Sequence, residues 1–107
     1  MDNRRKHPRY KFELPVEFSA DDDFKGTGLV HNLSQEGCLI ESDIAVCPGI
    51  YLKLILHLSD EIPSLEVESA AVRWVKGRVF GVELLYMGPK EFERLSEFLT
   101  SQDAPEV

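Results

Sequence analysis

The 107-residue chain has little of what marks a catalyst or a membrane protein. No apolar run approaches the ~18 residues that cross a bilayer. Cations at the N-terminus have no apolar stretch behind them, so the opening does not read as a secretory signal. A cytoplasmic protein without membrane insertion is expected. Cysteine is scarce: Cys38 lies in the apolar run "GCLI" and Cys47 precedes a proline. That spacing suits neither a metal pair nor a redox motif, and two reduced thiols are expected. His7, His31 and His57 have no mutual spacing that would build a metal site. Neither a nucleophile elbow nor a phosphate-binding P-loop is present. Most carboxylates fall in turns or on the polar side of strands. The expectation is therefore no enzyme, no metal and no cofactor.

Positive charge is also scarce, except in one place. Residues 1–11 hold Arg4, Arg5, Lys6, Arg9 and Lys11 against Asp2, a balance of +4. The other residues carry 7 basic and 18 acidic side chains, a balance of −11, which brings the whole to −7. A nucleic-acid polymer is bound through a broad basic surface, which this body lacks. Aromatics at 9% also leave few stacking platforms for single-stranded RNA. A small anion held at one basic spot stays compatible with this distribution.

What is present is alternation. Tyr10, Phe12, Leu14, Val16 and Phe18 alternate with polar residues, the period of a half-buried strand, and Pro15 suggests an edge or bulged position. Residues 27–42 read as a hairpin interrupted at "SQEG", with Gly37 expected at a positive-φ position. "IYLKLILHL" predicts a fourth strand. From Leu65 to Val75 the alternation slips by one residue, which predicts a β-bulge near Ser69–Ala70. "KGR" is a tight turn, and "VFGVELLY" is the last strand. The period then changes: Gly88 and Pro89 open a helix over about 89–100 whose Phe92, Leu95, Phe98 and Leu99 share one face. With 43% hydrophobic residues the chain can bury one real core. The expected fold is mainly β, a six-stranded antiparallel barrel (residues 10–100) with a C-terminal helix. A flexible basic arm (1–9) precedes it and a disordered tail (101–107) follows.

Two short constellations carry the functional signal. The first is "RKHPR", in which Arg5 and Arg9 flank a proline that disfavours helix. A guanidinium pairs with phosphate or with the O6/N7 edge of guanine, and it also stacks on flat rings. A solvated charge run and an anion-holding device both fit this segment alone. The second is "NLSQEG", Asn32 to Gly37, where a hairpin turn explains Ser34 and Gly37 while Asn32 offers both a donor and an acceptor.

In order and spacing, the pair R-x-x-x-R and N-x-S-x-x-G resembles the PilZ domain family. "AAVRWVKGRVFGVELL" resembles the family's late strands, and the resemblance runs from Arg4 to about Leu99. It implies a receptor for the bacterial second messenger cyclic di-GMP. In that reading Arg5 and Arg9 contact guanine edges and phosphates, and Asn32, Ser34 and Gly37 hold a guanine from the barrel surface. Arg4 is a candidate contact for a second, stacked ligand, with a solvent-exposed charge as the alternative. Trp74 is a candidate contact too, with a barrel-wall aromatic as the alternative. The arm is expected to order over the ligand and so signal to a protein partner in trans. The competing expectation is an interaction module of PilZ type that binds no nucleotide.

Overall fold

Alternating sequence gives strands with one apolar face, and here six of them close so that every apolar face points inward. The computed structural model describes residues 10–20 and 23–102. In chain order the elements are β1 (Tyr10–Ser19), β2 (Lys25–Leu33), β3 (Gly37–Glu41), β4 (Tyr51–Leu56), β5 (Leu65–Lys76), β6 (Val79–Tyr86) and the helix α1 (Pro89–Gln102). They form a closed barrel in the order β1-β2-β3-β6-β5-β4 with every pairing antiparallel. The expected barrel with a C-terminal helix is the fold observed. The basic arm, with Arg4, Arg5 and Arg9, lies outside the described residues, as do 103–107.

The core follows the alternation. Val16 and Phe18, Leu52, Leu54 and Leu56, and Phe80 and Val82 are all buried. Phe18 and Phe80 meet edge to face at 5.5 Å, an arrangement favoured by the ring quadrupoles. Cys38 is buried and Cys47 exposed, with no disulfide between them. Among the described residues no helix is long and apolar enough to cross a membrane.

Register shifts decide what faces outward. One falls between Ser69 and Ala70, where the alternation slips, and a second between Val72 and Trp74. The second leaves Arg73 and Trp74, neighbours in the chain, both exposed. Another shift, between Lys11 and Leu14, comes just before Pro15 and bends β1 there. The "KGR" turn uses Gly77 at φ +62°.

Helix α1 closes one side of the barrel with Leu95 and Leu99, both buried. Phe92, expected on the same face, is instead 46% exposed. The first turn is held by polar contacts rather than apolar ones. Glu91 Oε1 accepts from Glu66 N at 3.3 Å, and Arg94 donates to the carbonyls of Ser64 and Pro63. The helix also outruns its expected end near 100 and takes in Ser101 and Gln102. Ser101 Oγ donates to Phe98 O at 2.9 Å, which occupies a last-turn carbonyl.

Candidate ligand-binding groove

The turn between β2 and β3 is built from its own side chain. Ser34 N donates to Gly37 O at 2.9 Å, closing the turn. Ser34 Oγ accepts from Glu36 N at 3.1 Å and Gly37 N at 3.3 Å. With Ser34 only 1% exposed, its hydroxyl is turned into the turn and holds the backbone there. Leu84 N donates to Glu36 O at 2.9 Å, and Gln35 Nε2 donates to Ser96 Oγ. The turn is thereby tied both to β6 and to the helix.

Gly37 does not have the positive φ expected of it; only Gly49 and Gly77 do among the described residues. The physical reason for glycine is close approach. A Cβ at position 37 would overlap the Val82 carbonyl oxygen and lie 3.5 Å from Glu83 Cα. β3 and β6 can pair here only because that atom is missing.

Cross-strand register arranges the outer surface in rows. Asn32 pairs with Leu39, Leu39 with Gly81, and Gly81 with Trp74, crossing β2, β3, β6 and β5. The adjacent row runs Gly37, Glu83, Ala71, Tyr51. The Trp74 indole lies over Gly81: a Cβ there would be 2.6 Å from its Cε2 and closer still to its Nε1. Beside the indole this wall carries a groove of about 700 Å³, and Gly81 is among the residues that line it. Asn32, Gln35, Leu39, Trp74 and the pair Arg73–Glu83 are among the residues that line it. Arg73 Nε donates to Glu83 Oε1 at 2.8 Å, and its Nη2 lies 2.5 Å from the same oxygen. The Asn32 side chain, half-buried, has no hydrogen bond among the described residues.

Of the residues singled out from sequence, Asn32 and Trp74 thus lie at opposite ends of one row. Gly37 opens the neighbouring row, and Ser34 sits beneath the turn rather than in the groove. Arg4, Arg5 and Arg9 fall outside the described residues, but β1 begins beside the site, with Tyr10 paired to Leu33 and Lys11 to Asn32. Sequence reasoning missed Arg73, Glu83 and Gly81. A second slip of alternation within "VRWV" was the signal available for Arg73. Among the described residues, no group of three or more His, Cys, Asp or Glu side chains could hold a metal ion.

The PilZ domain family model matches residues 3–101. No curated protein matches the chain significantly in sequence. Solved structures similar to it include the Bacillus subtilis inhibitor of motility (MotI/DgrA), at 19% identity over 99% of this chain and 55% of that one, with a TM-score of 0.77. YcgR from Escherichia coli, solved in complex with c-di-GMP, aligns at 13% identity over 94% of this chain and 46% of that one, TM-score 0.77. The PilZ domain of CeSA from a cellulose-synthesizing bacterium aligns at 14% identity over 90% of this chain and 98% of that domain, TM-score 0.70. The chain spans about half the length of the MotI and YcgR chains it matches. At these identities the likeness is one of fold.

Proposed function

Because the chain belongs to the PilZ domain family, we propose that it is a non-enzymatic receptor for cyclic di-GMP, bound in the groove between Asn32 and Trp74. The observation that carries this reading is the row Asn32–Leu39–Gly81–Trp74. It crosses three strand spacings, about 14 Å at roughly 4.8 Å each, a suitable span for a dinucleotide lying on the wall. Trp74 offers a stacking face at one end, and Asn32 an amide that can both donate and accept at the other.

The rest of the recognition comes from the arm. Arg9 is bonded to Tyr10, which pairs with Leu33 beside the groove. Arg5 is four residues further back, and four extended residues reach at most about 14 Å, so both guanidinia are within covalent reach of the site. Their forks suit the ligand's two phosphates and the O6/N7 edges of its guanines. Ser34 and Gly37 act by shape: one fixes the turn and the other lets β3 approach β6. No cofactor takes part. The arm orders over the ligand, and the changed surface is read by a protein partner in the cytoplasm.

Calorimetric titration of cyclic di-GMP into the purified chain tests the proposal. Binding should be saturable and should weaken roughly 100-fold or more in Arg5→Ala and in Arg9→Ala, because each removes several charge-assisted hydrogen bonds. A stoichiometry of two per chain would assign Arg4 to a second, stacked ligand. Absence of wild-type binding at high micromolar ligand removes the receptor and leaves a PilZ-type interaction module.

A further inference from the structure

The groove and the helix α1 share a residue. Gln35 lines the groove, and its side chain also reaches α1, where Nε2 donates to Ser96 Oγ across 61 residues of chain. The backbone that carries Gln35 is fixed. Ser34 N donates to Gly37 O, and the Ser34 hydroxyl accepts from the amides of Glu36 and Gly37. Leu84 N donates to Glu36 O and ties the same turn to β6. A contact made to Gln35 is therefore not absorbed by the turn, and its side chain is the part left to change rotamer. Its Oε1 has no hydrogen bond among the described residues.

The helix is held by few groups. Leu95 and Leu99 are its buried anchors and Phe98 packs in part against the core, while Phe92 is exposed. Its other polar ties run from Glu91 to Glu66 N and from Arg94 to the carbonyls of Pro63 and Ser64. None of those residues lines the groove. A helix of 14 residues depends on such contacts for its stability. We propose that Gln35 couples the groove to α1: a ligand in the groove engages the Gln35 amide, Ser96 is released, and the helix loosens. This rests on the receptor reading above and adds to it a route by which occupancy leaves the site. The amide has two alternative partners, so both sites bias one equilibrium and the coupling is reciprocal. A substitution that frees Gln35 from Ser96 must then strengthen ligand binding. The solvent face of α1, where Phe92, Glu93 and Glu97 are exposed, is the surface that changes with occupancy.

Hydrogen exchange of the α1 amides and calorimetry, both with cyclic di-GMP on the full chain, test the coupling. Ligand should speed α1 exchange in wild type by about two- to tenfold, the scale of one neutral hydrogen bond. That change runs against the slowing that binding gives the rest of the barrel. Ser96→Ala frees Gln35 in advance and should bind the ligand about two- to tenfold more tightly. Its α1 amides should exchange fast without ligand and change no further with it. Alanine is the better helix former, so faster exchange in this variant cannot come from propensity. Arg94→Gln loosens the helix from its other side and frees no groove residue, so its affinity should stay within about twofold of wild type. Wild-type binding with α1 exchange no faster, or Ser96→Ala with wild-type affinity, overturns the inference and leaves the receptor intact. An equal gain in affinity in Arg94→Gln would place the coupling outside Gln35 and overturn it too. No wild-type binding overturns the receptor reading and this one with it.

Discussion

The barrel has two outer walls that contrast in how their side chains are used. The wall built on β1 and β4 has a depression of about 570 Å³, lined in part by Glu17, Ser19, Lys25 and Lys53. Register sets Lys25, Ser19 and Lys53 in one row and Thr27, Glu17 and Ile55 in the next. Two of its charged side chains are paired: His57 Nε2 donates to Glu17 Oε2 at 2.7 Å, and Lys53 Nζ lies 3.0 Å from Glu66 Oε2. The wall built on β2, β3, β6 and β5 is shaped by subtraction. Glycine stands at 37 and 81, an indole lies over one of them, and the Asn32 amide has no partner among the described residues. Both walls are hollow, and the depression on β1 and β4 is the more apolar of the two, with Phe18, Ile44 and Ile55 in its lining. The difference is that the first wall pairs Glu17 and Lys53 with neighbours, while the second leaves the Asn32 amide without a partner among the described residues and a ring face exposed at Trp74.

Substitutions can sharpen or break that contrast. The largest effect is expected from Gly37→Val, whose new Cβ would collide with the Val82 carbonyl. β6 cannot withdraw without losing its pairing to β3, so urea unfolding should show a loss of about 2–3 kcal/mol. A variant as stable as wild type would mean that the two strands do not approach as closely as described. Ser34→Ala takes the acceptor from two turn amides, that of Gly37 in a buried place, and should cost about 1–2 kcal/mol by the same measurement. It should weaken ligand binding only through the turn, and full retention of both properties would contradict its buried role.

Gly81→Ala is expected to cost less, about 0.5–1 kcal/mol, because Trp74 is 44% exposed and can swing away. Its signature is optical: the emission of the chain's one tryptophan should shift as the indole leaves the sheet. An unchanged spectrum would argue against the indole lying over Gly81. The smallest effect belongs to the opposite wall. Lys53→Met removes an exposed ion pair, worth about 0–0.5 kcal/mol, and should leave cyclic di-GMP binding untouched. A binding defect there would erase the distinction between the walls.

Much of the barrel was legible because its causes are local. Period-two alternation marks the strands, a period change marks α1, and the slip at Ser69–Ala70 marks one bulge. What was not legible depends on neighbours across the sheet. Gly37 looks like a turn glycine in one dimension, and its actual constraint is a carbonyl 45 residues away in the chain, at Val82. Ser34 is expected from sequence to contact a ligand, yet its hydroxyl is used by the turn. Phe92 has helical spacing for burial, but the polar anchorage of Glu91 and Arg94 holds that turn instead. Arg73 and Glu83 meet only because of the register between β5 and β6. Asn32 and Trp74 were singled out separately, and their common row appears only when four strands are paired.

The most direct test of the central claim, that cyclic di-GMP lies in the groove between Asn32 and Trp74, is the fluorescence of Trp74 during a ligand titration. We predict a saturable change in wild type and in Lys53→Met, lost in Arg9→Ala. Calorimetric binding with Trp74 emission unchanged throughout would put the ligand elsewhere and contradict the account.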